Sequence, residues 1–167
     1  LIAASIDPIE KKPFFHVHPA SRSYSIATVG CNFSCDFCQN HDISQMPRTT
    51  RRITGEDVMP AEVVAKAKES GSQTIAYTYT EPTVFFELAY DTAKIAAENG
   101  LKNLFVTNGF MTLEAIEIIA PYPSAANVDL KAFRDEFYRK KCGARLNPVL
   151  DSLKKMKEKG IWVEITT

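Results

Sequence analysis

Short runs of β-forming residues alternate along this chain with longer stretches in which apolar residues recur every three or four positions. That alternation predicts strands separated by helices. Tyr24-Ser25-Ile26-Ala27-Thr28-Val29 predicts a first strand over 23–29, and residues 73–79, 102–107 and 126–131 predict three more. Ile161-Trp162-Val163-Glu164-Ile165, behind Gly160, predicts a fifth. Val58, Val63, Val64 and Ala67 share one face of a helix that ends at Ser70-Gly71, with Pro60 in its first turn or at its start. Thr54-Gly55-Glu56-Asp57, just before it, resembles a capping box. Pro82 opens a second helix with an apolar stripe of Phe85, Leu88, Ala89, Thr92, Ile95 and Ala96, stopped by Asn99-Gly100. Thr112 caps a third, with Leu113, Ile116, Ile119 and Ala120 apolar and Pro121 and Pro123 as breakers. Helical character returns at 134–141 and at 148–159, where Leu150, Leu153 and Met156 share a face. Residues 41–55, with Arg48, Arg51 and Arg52, read as a polar, solvated connection. Residues 1–22 read as a leading extended segment with turns at Asp7-Pro8, Lys11-Lys12-Pro13 and His18-Pro19.

Strands alternating with helices at this spacing imply parallel strands joined by right-handed crossovers. The fold class is therefore α/β. Residues 23–167 are expected to form part of a TIM-like (β/α) barrel, which needs ~250 residues when complete; a doubly wound open sheet is the alternative. Both place a functional site at the C-terminal ends of the strands. The polar residues obey that geometry. The cysteine-rich stretch follows the first strand, Tyr79-Thr80-Glu81-Pro82 the second, Thr107-Asn108-Gly109 the third, and Asp129 and Lys131 end the fourth. The chain lacks an initiator Met and stops inside an apolar strand, whose unpaired edge would invite aggregation; it reads as a piece of a longer protein.

Composition narrows the function classes. A chain of 167 residues supports one domain with a core. Lys plus Arg and Asp plus Glu are 20 each, which argues against a nucleic-acid partner. No apolar run approaches the ~20 residues of a membrane span, and the first residues lack the basic and apolar regions of a signal peptide. Three of the four cysteines cluster, which suits metal binding in a reducing compartment, and so a cytoplasmic location, better than a disulfide framework.

Those three, Cys31, Cys35 and Cys38, are spaced C-x3-C-x2-C. Three thiolates on one loop can hold a metal centre and leave a coordination position open. With His41 they compose a Cys3His set for zinc. A cuboidal iron–sulfur cluster takes four thiolates, so this loop would leave one iron free to chelate an amine and a carboxylate. Cys142 is a candidate fourth ligand but reads as an unligated thiol in a polar stretch. His16 and His18, beside Pro19, read as loop or packing residues, and Phe14-Phe15 and Phe85-Phe86 as core.

Cys31-x3-Cys35-x-Phe37-Cys38, with an aromatic before the last cysteine, resembles the signature of the radical S-adenosylmethionine superfamily. Asp7-Pro8-Ile9-Glu10-Lys11-Lys12-Pro13, Gly30-Cys31-Asn32-Phe33, Cys38-Gln39-Asn40 and Tyr77-Thr78-Tyr79-Thr80-Glu81-Pro82 are similar to AmmeMemoRadiSam system radical SAM enzymes. These are related to the pyruvate formate-lyase (glycyl-radical-enzyme) activating enzymes. The resemblance covers essentially the whole chain and implies an N-terminal cysteine-containing segment and further barrel strands beyond it. It also implies a [4Fe-4S] cluster on Cys31, Cys35 and Cys38, and reductive cleavage of S-adenosyl-L-methionine to a 5′-deoxyadenosyl radical. Phe37 would then lie near the adenine. Glu81 would hold the methionine amino group with the backbone of Tyr79 and Thr80, where relatives have a Gly-Gly-Glu-like turn. Lys131, in Asp129-Leu130-Lys131, would face the methionine carboxylate. Asp129 would help bind ligand or a monovalent cation, and Asn108 would hydrogen-bond the ligand or simply shape its turn. Thr107 fits the cation site of the activating enzymes, but Val106 stands where they have an acid. The implied partners are an electron donor such as flavodoxin or ferredoxin and a protein, peptide or small-molecule substrate.

Overall fold

The computed structural model describes residues 1–167. Six strands form one sheet: β1 (Ala3–Pro8), β2 (Arg22–Ala27), β3 (Thr74–Tyr77), β4 (Lys102–Thr107), β5 (Pro123–Asp129) and β6 (Trp162–Thr166). They lie in sequence order, β2 to β6 parallel and β1 antiparallel to β2. The order never reverses. A doubly wound sheet needs a reversal, because its helices must reach both faces. Crossovers of one hand in one direction put every helix on the same side and curve the sheet into an arc of a TIM-like barrel.

The helices are α1 (His41–Thr50), α2 (Pro60–Glu69), α3 (Phe86–Glu98), α4 (Leu113–Ile119), α5 (Asp135–Phe137, continued by a π turn over Tyr138–Cys142) and α6 (Leu146–Glu158). The outer face of the sheet, through Ile26, Ile75, Tyr77, Phe105 and Val128, packs on Val63, Ala93, Ile116 and Val149 from the helices. Full burial of such side chains stabilises by ~1.5–3 kcal/mol each before entropy is counted. No helix is long and apolar enough to cross a membrane.

The concave face is closed differently. Ala76, Leu104 and Ala125 point there, and the small alanines leave room for Ile9 and Phe14 of the leading segment, both fully buried. Glu164 on β6 accepts the backbone N–H groups of Phe15 and His16 at 3.0 and 3.2 Å, and Asn127 on β5 donates to the Pro13 carbonyl at 3.1 Å. The leading segment thus belongs to the sheet through β1 and lines its hollow.

Four local expectations need correction. Phe15 is 63% exposed, so of the Phe14-Phe15 pair only Phe14 is core. Residues 41–50 are a helix, not a connection. Its inward face is polar: Ser44 and Gln45 are buried, and Gln45 and Arg48 donate to the Phe33 carbonyl at 3.0 and 3.2 Å. A helix that serves backbone carbonyls rather than an apolar core carries no apolar period. Pro47 inside it leaves the Ile43 carbonyl without its helical donor, and that oxygen accepts the Gly30 N–H at 3.0 Å. The residues of Thr54-Gly55-Glu56-Asp57 do not cap α2; the helix starts at Pro60, and Glu62 reaches back to the Met59 N–H at 2.7 Å. Pro123 begins β5 instead of preceding it, at a strand end where a missing N–H is tolerated. Thr112 does cap α4, accepting the Ala115 N–H at 3.2 Å.

Candidate active site

The cysteine loop leaves β2 and runs into α1. Its backbone is anchored on every side. Ser34 and Asp36 donate to the carbonyls of Cys142 and Lys141 at 2.9 and 3.0 Å, on the π turn after α5. Asn32 donates to the Phe110 carbonyl at 2.9 Å, and Phe33 is buried edge-on against Phe110 and Tyr138, at 5.4 and 6.1 Å between ring centres. The π turn ends at Gly143 with φ of 66°, where a Cβ would stand 2.5 Å from Ser34 Oγ, so only glycine lets the loop approach this closely. None of these anchors uses a thiol.

Cys31, Cys35 and Cys38 line one cavity of about 520 Å³ at the C-terminal ends of the parallel strands. Phe37, Tyr79, Thr80, Glu81, Asn108, Asp129 and Lys131 line it too, so the cavity gathers every site residue expected from the sequence. Its volume falls within the ~300–1,000 Å³ range of small-molecule pockets. Cys142 is fully buried behind the loop, next to Cys35, and does not line it. His41 and His16 also lie outside it. Val106 and Thr107 are on its wall.

Glu81 caps the short 3-10 turn Pro82–Phe85 and is 1% exposed. Its Oε1 accepts Thr83 N–H at 3.1 Å, Thr83 Oγ1 at 2.6 Å and Thr107 Oγ1 at 2.7 Å; its Oε2 accepts Asn108 N–H at 2.7 Å. Burial pushes its carboxyl above the usual carboxylate range, and the four donors oppose that only in part. A buried carboxylate so placed favours a cationic ligand group. Lys131 Nζ lies 2.5 Å from Asp129 Oδ2, and the Tyr138 hydroxyl accepts the Lys131 backbone N–H at 3.0 Å. Asn108 donates to Asn32 Oδ1 at 2.7 Å and accepts the Phe110 N–H at 2.8 Å, which ties the turn after β4 to the cysteine loop. Phe37 is 48% exposed and leans on Phe137, 5.8 Å between centres.

A family model of the radical SAM superfamily matches residues 25–167. The chain belongs to the radical SAM superfamily. Among its relatives, the uncharacterized protein MJ0808 of Methanocaldococcus jannaschii is 46% identical over 162 residues, covering 97% of this chain and 47% of that protein. A second uncharacterized protein of that organism, MJ0674, is 28% identical over 131 residues, 76% of this chain and 37% of its own. The chain therefore spans less than half the length of both relatives. The structure is similar to SuiB of Streptococcus suis, solved bound to S-adenosylmethionine, with a TM-score of 0.64 at 18% identity over 84% of this chain and 33% of SuiB. It is similar also to methylornithine synthase, PylB, with a TM-score of 0.55 at 17% identity over 84% and 43% of the two chains. At these identities the likeness shows a shared fold.

Membership in the radical SAM superfamily implies S-adenosylmethionine and an iron–sulfur cluster, and the donor set fits. The three thiols are free and share one cavity. Thiolates are the usual protein ligands of iron–sulfur clusters. Burial pushes the Cys31 thiol up to about 11, with Glu81 and Cys38 adding to it, and the Cys35 thiol up to about 12, with Cys142 next in weight. Both are protonated near neutral pH in the metal-free protein, which disfavours them as nucleophiles. Metal cations would supply the charge that makes thiolates tolerable there. A rise of about two units lowers the Cys31 thiolate fraction roughly a hundredfold. Iodoacetamide is accordingly expected to alkylate Cys31 and Cys35 of metal-free protein far more slowly at pH 7 than a small-molecule thiol. Peptide mass mapping over time checks this, and labelling of both at the free-thiol rate would contradict it.

The sequence pattern missed one part of this radical SAM site. Lys11, Lys12 and Pro13 line the cavity. Asp7, 4% exposed, pairs with Lys11 and Lys12 at 2.7 and 2.8 Å and accepts the Tyr79 hydroxyl; Lys12 Nζ stands 3.9 Å above the Tyr79 ring. Burial pushes the Asp7 carboxyl up, but the bonds from Lys11, Lys12 and Tyr79 outweigh it and hold the group well below the usual range. The resemblance of the Asp7–Pro13 run to radical SAM enzymes marked this stretch without giving it a role, and its residue types alone read as solvated charge until Tyr79 is brought alongside.

Proposed function

We propose that this chain carries the cofactor half of a radical SAM enzyme that cleaves S-adenosylmethionine reductively and abstracts hydrogen from a substrate still to be identified. The observation that carries the reading is the convergence of three free thiols, buried Glu81 and the Asp129–Lys131 pair on one cavity at the strand ends. Cys31, Cys35 and Cys38 would hold a [4Fe-4S] cluster. When bound, the cluster and S-adenosylmethionine supply one-electron cleavage of the sulfonium and a 5′-deoxyadenosyl radical. Glu81 would receive the methionine ammonium, which compensates a carboxylate held out of water. Lys131, kept in place by Asp129, would face the methionine carboxylate. Phe37, at the mouth, offers an aromatic face to the adenine. Asn108 and Asn32 brace the cysteine loop against the turn after β4. Thr107 is engaged by Glu81, and Val106 adds no acidic ligand, which weighs against a monovalent cation there.

The resemblance of the leading segment and of the Tyr77–Pro82 run favours an AmmeMemoRadiSam-type enzyme over an activating enzyme for a glycyl-radical partner. A flavodoxin- or ferredoxin-type donor would supply the electron, and a cytoplasmic location suits its chemistry. The test is anaerobic reconstitution of the full-length protein with iron and sulfide, addition of S-adenosylmethionine and dithionite, and assay of 5′-deoxyadenosine. Formation of that product is expected. Protein that takes up one zinc, no iron and yields no product would end this reading.

A further inference from the structure

We propose that Asp7 and Lys12 are positioning residues of the site: they clamp Tyr79 in a strained turn so that Glu81 and the cysteine loop keep their places around S-adenosylmethionine. This rests on the function proposed above.

The Thr80 N–H bonds the Thr78 carbonyl at 2.8 Å, and Tyr79 between them has φ of 64°. That is a three-residue turn of the rarer, strained hand, which glycine adopts far more easily than tyrosine. Strain of this kind persists only where the surroundings enforce it. Here the hydroxyl, ring and carbonyl of Tyr79 are all engaged. Its hydroxyl donates to Asp7, its ring lies under the Lys12 ammonium, and its carbonyl accepts Asn40 Nδ2 at 2.8 Å. Thr80 is pinned in turn by its hydroxyl on the Thr28 carbonyl at 2.9 Å. Asn40 belongs to the cysteine loop and Glu81 follows the turn directly, so Tyr79 joins the leading segment, the loop and the ligand-facing carboxylate.

The clamp itself is built to hold. Asp7 sits on β1, whose backbone is registered against β2, so its carboxylate has a fixed origin. Lys12 is 2% exposed. Burying an ammonium is unfavourable unless it is paired, and an apolar side chain would fill the same space without that cost. The pair's position against Tyr79, rather than packing, accounts for a charge there.

The experiment removes both charges together, so that neither is orphaned. Asp7→Asn/Lys12→Met in the full-length, anaerobically reconstituted protein is expected to weaken S-adenosylmethionine binding, measured by equilibrium dialysis, at least tenfold, about 1.4 kcal/mol. Adding Tyr79→Gly to that variant is expected to restore binding to within about threefold, because glycine takes the turn without a clamp. Hydrogen exchange in metal-free protein gives a readout independent of ligand. The Thr80 and Asn108 amides, the second of which donates to Glu81, should exchange at least tenfold faster in the double variant and slow again in the triple. A double variant that matches wild type in both measurements, or a triple variant with no recovery, overturns the clamp. If wild type itself binds no S-adenosylmethionine, the proposed function is lost and exchange alone decides: faster exchange reversed by glycine supports the clamp, and unchanged exchange overturns it.

Discussion

Serine at Cys31, Cys35 or Cys38 is expected to abolish stable cluster binding while leaving the chain folded. The two halves of that expectation have separate causes. A serine hydroxyl stays protonated and is a hard, weak ligand, whereas iron–sulfur clusters depend on thiolates. The fold does not depend on the thiols. Loop geometry comes from Ser34 and Asp36 bonding the π turn, from Gly30 bonding the Ile43 carbonyl, and from Phe33 in the core. The stability change for the half-buried Cys31 and Cys38 should therefore stay within ~1 kcal/mol. Cys142→Ala should behave in the opposite way. Its side chain is fully buried but does not line the cavity, so the variant should keep its iron and lose ~1–2 kcal/mol of stability. Iron and sulfide per chain after anaerobic reconstitution, with urea unfolding of the metal-free protein, separates the two. A Cys31→Ser protein with a full, stable complement of iron would mean that the loop is not the cluster site.

Glu81→Ala carries the second large effect, and it falls on stability as well as on ligand binding. Four donors converge on that carboxylate, and those from Thr83 N–H and Asn108 N–H are fixed by the backbone. Unsatisfied buried groups cost ~1–3 kcal/mol each, and the threonine hydroxyls can turn elsewhere, so a loss of about 3 kcal/mol is expected. Glu81→Gln keeps one acceptor oxygen but turns an amide towards the Asn108 N–H, for a smaller loss of ~1–2 kcal/mol. Both should lose most S-adenosylmethionine affinity, since both lack the charge that would meet the ammonium. Glutamine binding the ligand as tightly as glutamate would sink the assignment, and an alanine variant as stable as wild type would sink the network.

The pH dependence has a defined sign. The Glu81 carboxyl is raised in the folded chain, so its favourable contribution is present at acid pH and is lost as pH rises through the folded value. The stability advantage of wild type over Glu81→Gln should shrink from about pH 4 towards neutrality. Asp7 acts oppositely. It is held below its usual range, so its contribution is lost as pH falls beneath that range.

Much of the site was legible because it is local. Each rim residue follows the end of a β-rich run directly, and parallel strands leave no choice about which end carries the loops. Cys31, Glu81, Asn108 and Lys131 could thus be placed on one rim from the order of runs alone. α1 was not legible, because its inward side chains, Ser44 and Gln45, are polar and serve the carbonyls of a loop. Periodicity alone left the choice between barrel arc and doubly wound sheet open, since strand order depends on which way each crossover turns; the resemblance to radical SAM enzymes pointed to the barrel, and the strand order bears it out.

The sequence by itself determined the alternation of strands and helices, the three-thiol loop and the rim on which it sits, because backbone period and chain order decide those before any distant contact forms. Tertiary structure alone decided that the leader would become β1 and fill the concave face, and that Asp7 and Lys12 would be buried against Tyr79. The physical reason is that burying charge is unfavourable for an isolated segment and becomes acceptable only where a partner from far along the chain completes the pair.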